Sequence, residues 1–205
     1  MTIPGTLETL KTKLENGVLT ISINRPDVRN CFNVKMIEEF QSVFDAAAAS
    51  KETRVIVLQG EGNVFCAGGD LNWMKASMTL SAKENLTDTR RLVKMFETMN
   101  NCPKPVVGLT HGAAIGGGVG LTSVCDYVIA TKETVFSLAE VRLGIVPACI
   151  GPYVVAKIGP SHARAYFISA ERFNAERGKD IGLVHELVGT VAELHAAGER
   201  VTKNL

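Results

Sequence analysis

The sequence HGAAIGGGVGL, residues 111–121, decides the fold of this chain; in it Gly116, Gly117 and Gly118 are followed one residue later by Gly120. Each glycine inside a helix costs about 1 kcal/mol relative to alanine, so these residues weaken any helix that begins here. Two interpretations compete. The glycines allow a helix to pack closely against a strand, or they leave a backbone N–H free for a ligand at a helix N-terminus, where the dipole favours negative charge.

The segments around these glycines alternate between strand and helix patterns. Residues 105–110 and 127–131 predict strands, and the apolar residues after the glycines predict a helix between them. Residues 54–59 predict another buried strand, and a second stretch of small residues, FCAGGDL at 65–71, follows it. The chain is therefore predicted to form an α/β domain with parallel strand pairing. Both glycine segments then follow neighbouring strands at the edge where open α/β sheets bind ligands.

Turn and cap signals define the other elements. Asn16-Gly17 predicts a tight hairpin between strands at 6–14 and 18–24. Asn33 is the predicted cap of an amphipathic helix, and Ser81 with Glu84 forms a capping box for another. After residue 151 the pattern predicts a cap at Ser161, a helix at 175–181, a short strand at 183–188 and a last helix from Thr190.

Composition excludes several classes of protein. The chain has 205 residues, of which 46% are hydrophobic, and its 22 basic and 21 acidic residues nearly cancel. We therefore expect one domain with a sizeable core and no nucleic-acid or membrane-surface partner. The five cysteines are scattered without a C-x-x-C pair, which argues against disulfides and a metal site and favours a reducing, cytoplasmic location. No signal or transit pattern and no membrane-spanning run is present.

The glycine pattern does not match the common phosphate-binding loops. Gly117 is followed by Gly118 and Val119 instead of Lys and Ser or Thr, and the dinucleotide pattern G-x-G-x-x-G is missing. Two separate glycine amides are suited to another task, the binding of one carbonyl oxygen as it becomes an oxyanion.

Three motifs in order carry a resemblance: FCAGGDL at 65–71, HGAAIGGGVGL followed by CD at 111–126, and FSLAEVRLGIVP at 136–147. Together they resemble the enoyl-CoA hydratase/isomerase (crotonase) family, and the similarity spans nearly the whole chain. Within the family, four segments together are most similar to bacterial methylglutaconyl-CoA hydratases and the related carboxygeranoyl-CoA hydratases: NWM at 72–74, GGGVGL at 116–121, SLAEVRLG at 137–144 and PYVVAKIG at 152–159.

The resemblance implies an α/β spiral of ββα units from which the usual C-terminal helical region is largely missing. Residues 1–205 would then form a single crotonase-like domain, with the core at about 1–190 and the start of the helical region at 190–205. It also implies a homotrimer or a dimer of trimers where that region is present. Because the last predicted helix has no clear C-cap, we expect the natural polypeptide to continue or a partner to cover this end.

The resemblance also assigns a site. The amides of Gly69 and Gly117 would form the oxyanion hole for the carbonyl of an acyl-CoA thioester, with coenzyme A as part of the substrate and no cofactor besides. The acyl-CoA would contact these residues: Ala67, Gly69, Asp70, Leu71, Asn72 and Gly117.

Glu140 is the candidate acid and base, since burial between apolar neighbours raises a carboxyl pKa toward neutrality. Typical hydratases of the family have a second glutamate where this chain has Gly120. We expect hydration of a 2-enoyl-CoA, with 3-methylglutaconyl-CoA or a related branched or carboxylated acyl-CoA as substrate. The alternatives are a 3-enoyl-CoA to 2-enoyl-CoA isomerase and a non-catalytic acyl-CoA-binding subunit.

Other polar and sulfur-containing residues receive subordinate roles. His111 is predicted to bond backbone, Cys66 and Cys125 to fill the core, and Asp126 to serve a structural role at a strand entrance. Arg25 and Lys75 could pair with coenzyme A phosphates, although solvated surface is the favoured interpretation. Further hypotheses place these residues in the acyl pocket or opposite a substrate carboxylate: Trp73, Met74 and Met78 in the pocket, and Arg142 or Lys75 at the carboxylate.

Overall fold

A computed structural model describes residues 6–205. Its first element is the predicted hairpin, in which Asn16 and Gly17 both have positive φ, 52° and 82°. Asn and Gly are the residues that tolerate this conformation in a two-residue hairpin turn. The described residues contain these strands, numbered β1 to β9: Leu10–Glu15, Val18–Ile23, Val55–Gly60, Val106–Thr110, Ala113–Ile115, Tyr127–Thr131, Val135–Ser137, Arg172–Asn174 and Glu186–Val188.

The helices begin where the cap signals predict them. Asn33, Ser81 and Thr190 each accept a hydrogen bond from the backbone N–H three residues on, and the Ser81 capping box is complete. The α-helices of the described residues, α1 to α7, are Val34–Ala49, Leu71–Ser77, Ala82–Asn100, Gly117–Ser123, Gly151–Ser169, Ala175–Asp180 and Val191–Lys203.

A six-stranded sheet in the order β1-β2-β3-β4-β6-β9 forms the centre of the fold. The β1–β2 pair is antiparallel and every following pair is parallel, as the sequence predicts. Because β3 and β4 are neighbours, the segments that follow them leave the same edge of the sheet side by side. The larger core cluster includes the apolar face of α1 and the buried residues of α3, and α7 packs in the smaller cluster against β3, β4 and β6.

A second sheet of three short strands, in the order β5-β7-β8, was not predicted. Each strand has only three residues, which is too short for alternation of apolar and polar residues to be detected. Its presence gives the repeating ββα connection: β4, β5 and α4, then β6, β7 and α5. The sheet holds the residues that precede α4 and those that lead to Glu140 in one place.

Three boundary predictions were wrong. The first strand, predicted at 6–14, is Leu10–Glu15. Ser161 is not a cap, because Gly159 interrupts α5 with a φ of 76° and Pro160 begins the following segment. The strand predicted at 183–188 is shorter, Glu186–Val188, since the chain turns after α6 and the N–H groups of Leu183 and Val184 donate to Gly178 O in that helix. Within residues 6–205 no helix combines the length and apolar character that a membrane crossing requires.

Candidate active site

The glycine segment turns the chain from β5 into α4. Gly116 has φ 52° and ψ −114°, a conformation that strongly favours glycine, and its N–H donates to Ser137 O in β7 over 2.8 Å. Helix α4 then begins at Gly117, whose N–H has no acceptor among residues 6–205. An N–H in the first turn of a helix has no partner inside the helix and is therefore available to a ligand.

The neighbouring glycines are required by close packing. A Cβ on Gly117 would lie 2.6 Å from Phe32 Cε2, and one on Gly118 would lie 2.2 Å from the backbone oxygen of Cys66. Close packing of the helix is therefore confirmed, and binding of a ligand by the Gly117 amide stays a prediction. Gly118 brings α4 against the chain that follows β3, and Gly117, whose N–H has no acceptor among residues 6–205, lines the adjacent cavity.

The second glycine segment lies directly against the first. Cys66 N donates to Ala113 O over 3.1 Å, and Ile115 N donates to Cys66 O over 3.0 Å, so a backbone bridge joins the two segments. Gly68 has φ 94°, and a Cβ there would lie 2.9 Å from Ile115 O and 3.8 Å from Gly117 N. The N–H of Gly69, like that of Gly117, has no acceptor among the described residues. The two predicted oxyanion donors thus belong to adjoining backbone segments.

Glu140 lies at the start of a short 3₁₀ turn, Glu140–Leu143, which follows β7. Its Oε1 is 3.0 Å from the position that a Cβ on Gly116 would occupy. Its Oε2 is buried and has no hydrogen-bond partner within residues 6–205. Burial raises the pKa of the Glu140 carboxyl above its usual value. A buried carboxylate oxygen without a partner is costly for the fold, which is the situation expected of a group kept for a ligand.

A cavity of about 360 Å³ connects these groups. Gly69, Gly117 and Glu140 line it. The charged residues among the described lining are Glu140 and Asp88. Most of the remaining wall is apolar and comes from α2, α3 and the segment between the 3₁₀ turn and α5. The sequence did not predict that the following apolar residues would line the cavity: Phe32, Leu92, Phe96, Leu143, Ile145, Val146 and Ile150.

At Gly120, where the family resemblance leads us to expect a second glutamate, the structure has no room for a side chain. A Cβ there would lie 2.4 Å from Ile150 Cγ2 and 3.0 Å from Phe96 Cε1. Ile150 and Phe96 are themselves buried and line the cavity. An apolar wall therefore stands in the place of the second carboxylate.

Asp70 is the N-cap of α2, and its Oδ1 accepts a hydrogen bond from Asn72 N over 2.9 Å. Its Oδ2 forms a salt bridge with Arg25 Nη2 over 2.9 Å. Only 18% of the Arg25 side chain and 11% of the Asp70 side chain are exposed. Arg25 also donates to the backbone oxygen of Cys31. The interpretation of Arg25 as solvated surface was therefore wrong, because this guanidinium joins the entrance of α2 to the segment before α1.

The other predicted contact residues lie at or beside the cavity. Ala67 and Leu71 line it, and Leu71 is 65% exposed. Asn72 is exposed in the first turn of α2. Their contacts with an acyl-CoA stay predictions, as does that of Asp70.

The hypotheses for the acyl pocket were partly wrong. Trp73 and Met74 line the cavity, whereas Met78 does not and is 84% exposed. Neither Lys75 nor Arg142 lines it, and Arg142 Nη2 donates to Ala170 O over 3.0 Å. Both cations proposed for a substrate carboxylate are therefore outside the described cavity wall.

The structural roles predicted for His111, Asp126, Cys66 and Cys125 are confirmed. His111 Nε2 is 2.9 Å from Gly62 O, and Asp126 Oδ2 accepts from Val106 N at the start of β4 over 2.8 Å. Cys66 and Cys125 are buried, and burial raises the pKa of each thiol to about 12. Within residues 6–205 no group of three or more His, Cys, Asp or Glu side chains could hold a metal ion.

Free backbone amides beside a buried carboxylate are typical of enzymes that stabilise an oxyanion and move protons next to it. The family model for enoyl-CoA hydratase/isomerase matches residues 13–205, so the chain belongs to that family. Its fold is the mixed α/β fold of this family, whose members bind acyl-CoA thioesters.

Proteins named as isomerases and a protein named as a hydratase are similar to this chain. The peroxisomal Delta(3,5)-Delta(2,4)-dienoyl-CoA isomerase of Arabidopsis thaliana is 32% identical over 92% of this chain and 72% of the relative. The trans-2-decenoyl-[acyl-carrier-protein] isomerase of Streptococcus mutans is 31% identical over 85% and 67%. The crystal structure of an enoyl-CoA hydratase from Shewanella pealeana has a TM-score of 0.93 and 33% identity, covering 97% of this chain and 74% of that one.

Proposed function

We propose that the protein adds water across the 2,3 double bond of a branched 2-enoyl-CoA. The observation that carries this proposal is the unpartnered, buried Oε2 of Glu140 in a cavity that also contains Gly69 and Gly117, whose amides lack acceptors among residues 6–205. These groups supply what hydration of a conjugated thioester needs, which is a site for negative charge and a group that exchanges protons beside it.

The two amides bind the thioester carbonyl oxygen in the proposed reaction. Addition of water at Cβ moves electron density through the double bond to this oxygen, so its charge grows as the transition state forms. Donors fixed in advance at that position stabilise the charge, and loss of one such donor typically costs about 2.7–4 kcal/mol. Since the thioester itself accepts the charge, the proposed reaction requires no cofactor beyond the coenzyme A of the substrate.

Glu140 acts as base and then as acid. Its carboxylate takes a proton from water while the water oxygen forms a bond to Cβ, which gives a protonated carboxyl and an enolate. The carboxyl then returns a proton to Cα as the carbonyl reforms. One group serves both steps when water and proton arrive on the same face, and burial raises the pKa of this carboxyl above its usual value.

The acyl group is proposed to be branched because the motifs resemble hydratases of branched substrates and the cavity wall is largely apolar. For 3-methylglutaconyl-CoA the distal carboxylate would find no cation on the described part of that wall. We therefore expect an uncharged branched 2-enoyl-CoA to be preferred, and 3-methylglutaconyl-CoA is the carboxylated member of the substrate panel that tests this.

The test is a substrate panel with product identification. On a branched 2-enoyl-CoA we expect the absorbance of the conjugated thioester to fall and the product to gain the mass of one water. Glu140→Gln should lower this rate by at least about a thousandfold while acyl-CoA binding is kept. The matched control is Glu133→Gln, because Glu133 is exposed and outside the cavity. Full activity in Glu140→Gln would remove Glu140 from the mechanism.

A second candidate function is isomerisation of a 3-enoyl-CoA to the 2-enoyl-CoA. The observation that favours it is the apolar wall of Ile150 and Phe96 at Gly120, which leaves Glu140 without a second carboxylate to orient water. Glu140 would then carry one proton from Cα to Cγ. Rapid appearance of conjugated absorbance from a 3-enoyl-CoA, with no change of mass, would favour this function over hydration.

Tight binding of acyl-CoA with no turnover on the whole panel would overturn both enzymatic proposals and favour a binding subunit. The homotrimer or dimer of trimers and the cytoplasmic location remain predictions, and a molar-mass measurement in solution tests the first of these.

A further inference from the structure

Helix α2 forms a wall of the cavity directly over Gly69. Met74 Sδ lies 3.1 Å, and Trp73 Cζ3 lies 3.9 Å, from the position that a Cβ on Gly69 would occupy. Both side chains also line the cavity. The position of this short helix therefore sets the space available beside one of the two proposed oxyanion donors.

The contacts that hold α2 in place are few. None of its seven residues is fully buried, so packing alone fixes it weakly. Its N-terminus is attached through Asp70, which caps the helix and pairs with Arg25. Further along, Trp73 Nε1 donates to Asp88 Oδ2 in α3 over 2.8 Å. Among residues 6–205 this is the one side-chain hydrogen bond that joins α2 to α3.

The Trp73–Asp88 hydrogen bond also has favourable chemistry. The acceptor is a carboxylate, and hydrogen bonds to charged groups are stronger than neutral ones. An indole N–H is a single donor in a fixed direction, so a bond at this atom, together with the attachment of the ring at Cβ, restricts the orientation of the ring. The Trp73 side chain that lines the cavity is thus held from α3 as well as from α2.

We propose that Asp88 is a positioning residue that acts through Trp73 to hold α2 over Gly69 and so fixes the shape of the acyl pocket. This inference rests on the proposed binding of an acyl-CoA in the cavity, but not on which reaction follows. Asp88 itself transfers no proton in this proposal.

The first test compares variants of the pair by steady-state kinetics on the substrate that the panel identifies. We expect Asp88→Ala to lower kcat/KM about tenfold, whereas Asp88→Asn, which keeps an acceptor oxygen, stays within about twofold of the wild type. Trp73→Phe removes the donor and should resemble Asp88→Ala. The matched control is Lys83→Ala, on the exposed face of the same helix and outside the cavity, and it should behave as the wild type.

The double variant Trp73→Phe with Asp88→Ala shows whether Asp88 acts through Trp73 or independently of it. If Asp88 acts through Trp73, the double variant loses no more than either single variant. Additive losses would overturn the proposal, because Asp88 would then act by another route. An equal loss in Asp88→Asn and Asp88→Ala would also overturn it, since the asparagine retains an acceptor for the indole.

A spectroscopic test needs no turnover. Trp73 is the single tryptophan of the chain, so its fluorescence reports this wall alone. We expect butanoyl-CoA, a saturated thioester that cannot add water, to quench the emission. In Asp88→Ala we expect a red-shifted emission and an about fivefold or larger rise in Kd for butanoyl-CoA. Unchanged emission and Kd in Asp88→Ala would overturn the inference.

The two tests separate this inference from the proposed function. If no substrate is converted but Asp88→Ala shifts the emission and weakens butanoyl-CoA binding, the enzymatic proposal fails and the positioning role stands. If substrate is converted and Asp88→Ala behaves as wild type in every measurement, the positioning role fails and the enzymatic proposal stands.

Discussion

Ile150 occupies the space that a side chain on Gly120 would need, with its Cγ2 2.4 Å from the position of a Cβ there. The two residues are far apart in the sequence, and their contact closes one side of the cavity. Since Ile150 is buried and Phe96 also packs on Gly120, the wall has little freedom to move aside.

This contact predicts a coupling between two substitutions. Gly120→Ala should reduce the free energy of unfolding by about 1–3 kcal/mol because the methyl group overpacks the wall. Ile150→Ala leaves a cavity and should cost about 2–5 kcal/mol on its own. In the double variant the added methyl partly fills the vacated space, so the total loss should fall short of the sum by about 1 kcal/mol or more. Urea denaturation measures all three, and strict additivity would contradict the contact.

The packing of Gly118 predicts that a side chain at this position lowers the stability of the fold strongly. A Cβ there would lie 2.2 Å from the backbone oxygen of Cys66, which cannot rotate away as a side chain does. We expect Gly118→Ala to cost about 3 kcal/mol or more. The matched control is Gly151→Ala, also in a helix, where the nearest atom is Phe167 Cζ at 4.0 Å. It should change stability by no more than about 1 kcal/mol. Equal denaturation midpoints for the two variants would be inconsistent with this structure.

The raised pKa of Glu140 predicts that this residue destabilises the fold at neutral pH. Its pKa is 4.5 in an ordinary environment and higher in the folded protein, so between these two values the native state binds more protons than the unfolded state. Stability therefore falls with rising pH in that window, by about 1.4 kcal/mol for each pH unit that separates the two values.

Glu140→Gln removes this ionisation, so we expect the variant to be more stable than the wild type at pH 7 and similar to it below pH 4.5. Thermal denaturation across that pH range measures the difference, with Glu133→Gln as the exposed control. A variant that is less stable than the wild type at pH 7 would show that Glu140 is satisfied in the folded protein.

The Arg25–Asp70 pair predicts the opposite pH dependence. Burial by itself raises the pKa of Asp70, but the Arg25 guanidinium and the backbone N–H groups of α2 outweigh it and hold the pKa below its usual value of 3.8. The stability from this pair is therefore fully present above pH 3.8 and is lost as pH falls through the lower pKa of the folded state.

Arg25→Met should cost about 2–4 kcal/mol at pH 7, because it leaves a mostly buried carboxylate without its partner. The loss of unfolding free energy caused by Arg25→Met should be smaller in the Asp70→Asn background. It should also become smaller at acidic pH. An equal loss with and without Asp70→Asn would show that Arg25 acts through another contact.

The sequence predicted those parts of the fold and site that depend on local chemistry. The Asn16-Gly17 turn and the caps at Asn33 and Ser81 are local signals, and the structure confirms them. The two glycine segments were placed correctly beside each other because parallel strands end at a common sheet edge. Glu140 was chosen by its motif, and its buried, unpartnered Oε2 agrees with that choice.

Long-range packing could not be predicted in the same way. The contacts of Phe32 with Gly117 and of Ile150 with Gly120 join residues distant in sequence, and no local pattern distinguishes them from other core residues. Helix α2 was missed although Asp70 is a suitable cap, since seven residues give too little periodicity. That omission explains the error at Met78, which follows the end of α2 and is exposed.

The backbone bridge between Cys66 and the segment before α4 limits what side-chain substitutions can reveal about this site. The two free N–H groups that it brings together belong to the main chain of glycines, so no side-chain deletion removes either of them. An alanine scan adds atoms at Gly69 and Gly117 instead of taking a donor away, and it would therefore report crowding in place of lost charge stabilisation. Only exchange of a single amide for an ester, which deletes one hydrogen-bond donor and leaves every side chain intact, isolates what these glycines contribute.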